Sequence, residues 1–505
     1  MILTILVIAI GVSICAGLLK LALWYLNSYR ILSRSKCFRG PPAFPIIGNG
    51  HLFIGTGADI YERIQILIKK YPSPFRIWLG PRLFFAIHEP EHIKLILTNP
   101  TAIHKDQIYE MLHPFLGDGL LTAPGSKWKP HRKVIQPLFN TKVLESYIRV
   151  FTTKASIAAE KIEMEEGKEF EAYNYLSRYS LDSICETTMG VCVDALNNKD
   201  CTYLHMMESI LEITTFRMVK PWLYSDFIFN YTSVGRIFHK CTKFVHEFTE
   251  KVSQRAKFPK VNQRKSDIER RKSLVSLLLS LTESDYKFTD KEILDEISTI
   301  ITAGYETSAN LLSYTLLILA NYPEIQDKVY AEVREVFGEC GSEVLDITLQ
   351  DLNRMEYLDR VLKETLRFFP AATVIARHLE NEVSIGEYIL PAGSSVAVDL
   401  FQIHRSEEYW SKPLEFEPDR FLPKHPLGPR HPYAYIPFSS GPRNCIGMKY
   451  AMMSGKILIS TIVSRCIIKS KILQKAKDVE MKMNITLKPK YPIIIYAERR
   501  PIETR

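Results

Sequence analysis

Apolar residues fill the first stretch of the chain almost without interruption. MILTILVIAIGVSICAGLLK carries no charged side chain before Lys20, and LALWYLN extends the run. Roughly 20 apolar residues suffice to cross a bilayer as a helix, so the pattern predicts a membrane anchor over residues 1–28. Trp24 and Tyr25 suit the membrane interface, and Arg30, Arg34, Lys36 and Arg39 follow. Positive charge on that side predicts a lumenal N-terminus and a cytosolic body. A cleaved signal peptide is disfavoured, because the run is too long and lacks a basic leader. GPPAFPIIGNG, Gly40 to Gly50, closes a basic, Pro/Gly-rich hinge over residues 29–50, which leads into a body over residues 51–505.

In the body the period changes. PFRIWLG and PRLFFAIHEP flank Gly80-Pro81 and predict a β-hairpin. EVSIGEYILPAGSSVAVDL, Glu382 to Leu400, predicts a second one turning at Pro391–Gly393. From about residue 140 to about 340 long amphipathic stretches with few glycines predict helices. TDKEILDEISTIITAGYETSANLLSYTLLILANYP reads as one helix of about 32 residues, roughly 48 Å long. Thr289 and Glu292 have capping-box spacing, and Pro323 stops it. Apolar residues cover most of its faces, which places it at the centre. No internal repeat or low-complexity tract interrupts the pattern. The expectation is one large domain, mainly α with a small β portion.

Composition narrows the partners. Net charge is +9, which suits an anionic membrane surface or an acidic protein. The basic residues are scattered and no nucleic-acid motif appears, so no nucleic acid is expected. Between Lys251 and Lys272 nine basic residues face two acids; this reads as a solvated loop between helices. Nine cysteines, an odd number without CxxC spacing, support neither a disulfide framework nor a zinc site. They point to a reducing compartment and mostly inert thiols.

Three places carry candidate chemistry. In the long helix, Gly304 costs about 1 kcal/mol against alanine, and Thr307 shares its face. A threonine hydroxyl can bond a carbonyl one turn back, and Glu306 adds a carboxylate. Together they make either a polar notch able to bind a diatomic ligand and pass protons, or a plain kink with an exposed Glu. In MEYLDRVLKETLRFFP, Glu364 and Arg367 share a helical face among apolar neighbours. A buried pair needs a further partner, and Arg420 of FEPDRF is the candidate. The third place is PFSSGPRNCIG, Pro437 to Gly447. Phe438 can shield a sulfur, Gly441 permits positive φ, Arg443 can pair with an anionic group, and Gly447 admits a flat cofactor. Backbone N–H groups can point at a thiolate and lower its pKa. Cys445 is thus either a small residue in a turn or an axial metal ligand.

With WKPHR (Trp128 to Arg132), AGYETS (Ala303 to Ser308), ETLR, EPDRF and FSSGPRNCIG in this order, the chain resembles the cytochrome P450 superfamily of haem-thiolate monooxygenases over almost its whole length. The resemblance implies the P450 fold behind an N-terminal transmembrane helix, haem b (iron protoporphyrin IX), and Cys445 as the thiolate on iron. It implies Thr307 and Glu306 as catalytic proton-delivery groups. Trp128, Arg132, Arg377 and Arg443 match positions that hold the propionates, and Ala303, Gly304, Phe438 and Gly447 would lie against the haem. Glu364, Arg367 and Arg420 match a structural cluster. Pro130 belongs in a first helical turn, which would put Trp128 just outside its helix.

No reductase domain is recognisable, and GNGHLF and GTGADI both fail G-x-G-x-x-G. Electrons would therefore come from NADPH through a separate cytochrome P450 reductase, with cytochrome b5 as a second donor, at the endoplasmic reticulum membrane. HPFLGDGLLTAPGSKWKPHRK and PFSSGPRNCIGMKYA look most like the animal fatty-acid ω-hydroxylase clan, including insect members. That clan often carries Glu directly before the helix glycine, where it esterifies the haem. Here the position is Ala303, so haem without that link is expected. The implied substrate is a lipophile: a fatty acid, a terpenoid or hormone, or a foreign compound. Expected pocket walls are Ile103 to Asp118, Phe216 to Phe229 and Ala371 to Ile375. Two alternatives stand beside this reading: an O2-independent isomerase or dehydratase, which the paired Glu306 and Thr307 argue against, and a non-catalytic haem sensor or lipophile carrier.

Overall fold

A 32-residue helix, Asp290–Asn321, runs through the body. Its start is fixed as the sequence expects. The Thr289 side chain accepts from the Glu292 N–H, and the Glu292 carboxylate accepts from the Thr289 N–H at 2.9 Å. Pro323 opens the next helix, so this one ends just before it. From Asp295 to Ala320 every residue is buried except Ala303, Gly304 and Thr307. The helix Ala172–Ile184 packs along it. The helix Met448–Arg465, which follows the cysteine loop, packs against Ile148–Met164 and touches Glu356–Phe368. These helices share one large apolar core.

The β portion is dominated by a four-stranded sheet. In chain order its strands are β1 (Phe75–Leu79), β2 (Arg82–Ile87), β3 (Val374–His378) and β4 (Ser395–Asp399). Their spatial order is β1-β2-β4-β3. β1 and β2 form the expected hairpin, with Gly80 at φ +58 in its turn. β4 runs parallel to β2 and antiparallel to β3. A parallel neighbour needs a crossover connection, and here nearly the whole helical body lies between the two strands.

The second hairpin turns elsewhere than expected. Val383–Ile385 pairs with Tyr388–Leu390 around Gly386, which has φ +59. A two-residue hairpin turn needs positive φ, and Gly386 supplies it. Pro391–Gly393 instead leads the chain into β4.

This computed structural model describes residues 33–44, 46–198, 201–257, 273–280, 287–338, 345–423 and 430–501, together with Gly11, Val12, Cys15 and Leu19. The anchor expected over residues 1–28 lies almost entirely outside them. Among the described residues no helix is long and apolar enough to cross a membrane. The hinge docks on the sheet from Arg39 onward. The Arg76 N–H donates to the Arg39 carbonyl at 2.8 Å, and the Trp78 N–H donates to Asn49 Oδ1 at 2.8 Å. The basic stretch Lys251–Lys272 is helical as far as Lys257, and the remainder lies outside the described residues.

Candidate active site

The cysteine loop is a tight fold held from both sides. The Cys445 N–H donates to the Phe438 carbonyl at 2.9 Å, and the Asn444 N–H to Gly441 at 3.1 Å. Gly441 has φ +72, and a Cβ there would stand 2.0 Å from the Leu97 carbonyl oxygen. Conformation and close approach both demand glycine. Arg132 clamps the loop, donating to the Asn444 carbonyl and to Asn444 Oδ1, each at 2.9 Å. Cys445 is enclosed by the fold yet keeps accessible surface. That combination describes a thiol facing an internal space. A Cβ on Gly447 would meet only the Cys445 sulfur, at 3.9 Å, so that side is open as well.

The loop does not by itself produce a thiolate, contrary to the expectation from its N–H groups. Burial pushes the Cys445 thiol up, while the Gly447 N–H and the Arg132 charge pull it down and do not win. A bound metal cation removes the thiol proton outright. Cys185, Cys201, Cys241 and Cys466 are buried, and burial raises each thiol. They are inert core residues.

Beside the loop three cations gather. Arg443 stacks its guanidinium 4.6 Å from the Trp128 ring centroid and donates to the Ala123 carbonyl at 2.6 Å. Its Nε has no hydrogen-bond partner. Arg377 is buried and donates to the Ala376 carbonyl at 3.1 Å. Lys105 bridges Arg377 through an isolated backbone pairing. Burial lowers all three, Arg443 to about 9, and mutual repulsion depresses Lys105 and Arg443 further. Among the described residues no carboxylate pairs with any of them. A buried cluster of this kind calls for an anionic partner. Two carboxylates of a flat cofactor next to the thiol satisfy it, so the residues fit an iron porphyrin.

Lys105 is the member the sequence did not single out. It is 272 positions from Arg377, and only strand pairing joins them. Arg132, expected with the propionate group, donates to Asn444 and acts electrostatically on Cys445. Trp128 lies inside the helix Gly125–Ile135, not outside it. Pro130 is the sixth helical residue. It forgoes one backbone bond, and the helix continues regardless.

On the central helix, Ala303 and Thr307 open into an apolar cavity of about 380 Å³. That volume suits one small lipophilic molecule. The Thr307 hydroxyl donates to the Ala303 carbonyl at 2.7 Å, the back-bond expected one turn away. Gly304 faces elsewhere: a Cβ on it would meet Ile184 Cδ1 at 2.7 Å. Its absent side chain permits close packing of the central helix against Ile184.

Glu306 is no exposed kink residue. It is 3% exposed. Its Oε1 pairs with Lys488 at 2.7 Å and accepts from Thr486 at 2.8 Å, and its Oε2 accepts from Tyr173 at 2.5 Å. Burial alone would raise this carboxyl. Lys488 and the donors outweigh it and hold the group below the usual range. The same neighbourhood pushes the Tyr173 phenol well above its ordinary value, burial first and the Glu306 charge second.

The cavity walls include parts of the three expected segments, such as Tyr109, Met218 and Val374, and several that were not foreseen, among them Ile64, Leu67 and Ile68 of the helix Gly57–Lys70. Met483 to Thr486 contribute another. A face of the sheet adds a further one, where Ile77, Phe84, Ala86, Ala397 and Asp399 turn inward beside the expected Val374. The Glu364 cluster forms as expected. Arg367 donates to Glu364 at 2.7 and 2.8 Å, and Arg420 at 3.3 Å, all three residues being buried.

Comparison with known proteins agrees with this geometry. The family model described as "Cytochrome P450" matches residues 38–496. Cytochrome P450 4c21 of Blattella germanica is 35% identical over 472 residues, 91% of this chain and 93% of that protein. Cytochrome P450 4V2 of Mus musculus is 34% identical over 471 residues, covering 91% and 89%. Cytochrome P450 4c3 of Drosophila melanogaster is 32% identical over 470 residues, covering 89% and 87%. An enclosed thiol beside unpaired cations, under a helix face opening on an apolar cavity, thus sits in a chain that belongs to the cytochrome P450 family, as a monooxygenase of its animal family-4 branch.

Proposed function

We propose that the protein is a membrane-anchored monooxygenase of the endoplasmic reticulum that oxidises a lipophilic substrate: RH + O2 + 2 e⁻ + 2 H⁺ gives ROH + H2O. The observation that carries the reading is the enclosed, accessible Cys445 thiol beside Lys105, Arg377 and Arg443, cations without a carboxylate partner. Haem, when bound, would supply activation of O2, and Cys445 would hold its iron through a thiolate. Lys105, Arg377, Arg443 and Trp128 hold the propionate side, Arg132 positions the Asn444–Cys445 turn, and Phe438 and Gly447 leave a dry, open face. Ala303 provides no carboxylate at the cavity, so the haem is not esterified there.

The other residues handle protons and exclude water. Thr307 Oγ1 donates to Ala303, which leaves its lone pairs to accept from a water in the cavity. Glu306, held ionised by Lys488, draws protons inward beside it. The apolar walls keep bulk water from the substrate. Electrons come from NADPH through a separate reductase, with cytochrome b5 as an additional donor; the positive net charge suits acidic partners.

The test is spectral and chemical. The reduced holoprotein with carbon monoxide gives the far-red-displaced Soret band of thiolate ligation, and Cys445→Ala abolishes it. With reductase and NADPH, a lipophile panel yields oxygenated products and substrate-dependent NADPH consumption. Rearrangement without NADPH consumption would instead mark an isomerase or dehydratase, and binding without turnover a carrier.

A further inference from the structure

Successive side chains of a strand point to opposite sides. The inward face of the sheet is therefore fixed by register: Phe84 lies opposite Ile77, Ala86 opposite Ala397, and Val374 opposite Asp399. All are apolar except Asp399. This carboxylate borders the cavity at 6% exposure. Its Oδ1 accepts from the Gln402 N–H at 2.9 Å, capping the short helix Leu400–Ile403. Among the described residues no cation and no side-chain donor meets it. Tyr61 feels its charge without donating to it.

A serine or asparagine caps a helix equally well without desolvating a charge. Burial pushes the Asp399 carboxyl up to about 6, against the pull of the Gln402 and Phe401 N–H groups. It is still largely ionised at neutral pH, inside an apolar wall. Such a group gains most from a donor arriving within the cavity. Of the cations nearby, Lys488 is paired with Glu306; Lys105 also lines the cavity, and in the holoprotein the haem propionates would engage it together with Arg377 and Arg443. A lipophile ending in a carboxylate finds no free counter-charge on this wall, and meets a like charge at Asp399.

We propose that Asp399 anchors the polar end of an elongated lipophilic substrate through a hydrogen-bond donor, an alcohol hydroxyl or a protonated amine, and disfavours carboxylate-ended molecules of the same length. This rests on the monooxygenase reading, since it assigns Lys105 to the haem. It narrows the substrate class of that site and makes Asp399 a positioning residue that sets which carbon reaches the reactive centre.

The experiment uses the reductase-supported holoenzyme and four ligands of equal chain length: a primary alcohol, its methyl ether, the alkylamine and the carboxylic acid. Dissociation constants are read from the Soret shift, and product positions from mass spectrometry. The alcohol binds about tenfold tighter than the ether, the amine shares its preference, and the acid is weakest. Asp399→Asn, which keeps size and cap, removes the discrimination against the acid, weakens the amine about tenfold and scatters the oxidation position. Equal binding of alcohol, ether and acid by the native enzyme overturns the proposal, as does an unchanged order in Asp399→Asn. If that variant fails to load haem, Asp399→Ser replaces it, and if both fail the native binding order decides. Loss of the far-red Soret band or of all turnover in the native protein would instead strike the monooxygenase reading.

Discussion

Replacing Glu364 by glutamine removes one charge from a buried group of three. Glu364 and Arg367 are fully buried and Arg420 is 3% exposed. Glu364 also accepts from the Glu417 N–H at 2.9 Å. The amide keeps the volume and one acceptor oxygen, but leaves the Arg367 guanidinium without a counter-ion and Arg420 with only the half-exposed Glu417 carboxylate at 3.3 Å. Breaking a buried pair from one side costs about 3–5 kcal/mol. Here the cations keep carbonyl partners: Arg367 still reaches His404 at 2.9 Å, Pro413 at 2.8 Å and Glu415 at 3.2 Å. The lower end, about 3 kcal/mol or a factor of about a hundred in the folded equilibrium, is therefore expected. The cluster joins Glu356–Phe368 to the segment leading into the cysteine loop, so the loss should show as earlier disappearance of the far-red Soret band during denaturant titration. Glu417→Gln is the control. Its carboxylate is half exposed and 3.3 Å from the buried Arg420, and water screens it, so its loss costs about 1 kcal/mol or less. A Glu364→Gln protein within about 0.5 kcal/mol of the native one would refute the reasoning.

Other outcomes test other links. Gly441→Ala forces a Cβ to within 2.0 Å of the Leu97 carbonyl at positive φ; it should yield protein that fails to load haem, measured by haem content per chain. Gly304→Ala gains about 1 kcal/mol of helix propensity but overpacks Ile184, so a net loss of about 1–2 kcal/mol is expected; Ile184→Ala, which removes both the Cδ1 and the Cγ1 that a Cβ would meet at 2.7 Å, should show favourable coupling with it in a double-mutant cycle. For Glu306 the sign follows from its depressed pKa. The Lys488 pair contributes stability above the ordinary carboxyl range, and that contribution is lost as pH falls through the folded value. Lys488→Met leaves burial dominant and reverses the sign. The variant should lose stability as pH rises from the ordinary value to its new, raised one, seen in denaturant midpoints taken across pH.

Much of this protein is written in short-range pattern. Capping-box spacing and apolar periodicity located the central helix to within a residue of its ends, because caps and prolines act locally. The first hairpin was legible for the same reason. The Glu364–Arg367 pair could be read from i,i+3 spacing, and the cysteine loop from its glycines and motif. What depended on distant partners was not legible. The Gly304 side chain would point at Ile184, Arg132 closes on Asn444, and Lys488 meets Glu306, each across a gap no period spans. Lys105 and Asp399 owe their places to a sheet whose parallel pair encloses most of the chain between its strands. Local chemistry determines which elements form and which residues are reactive; only tertiary packing decides which charges become neighbours and which stay unpaired, since that depends on the distance and desolvation between residues remote in sequence.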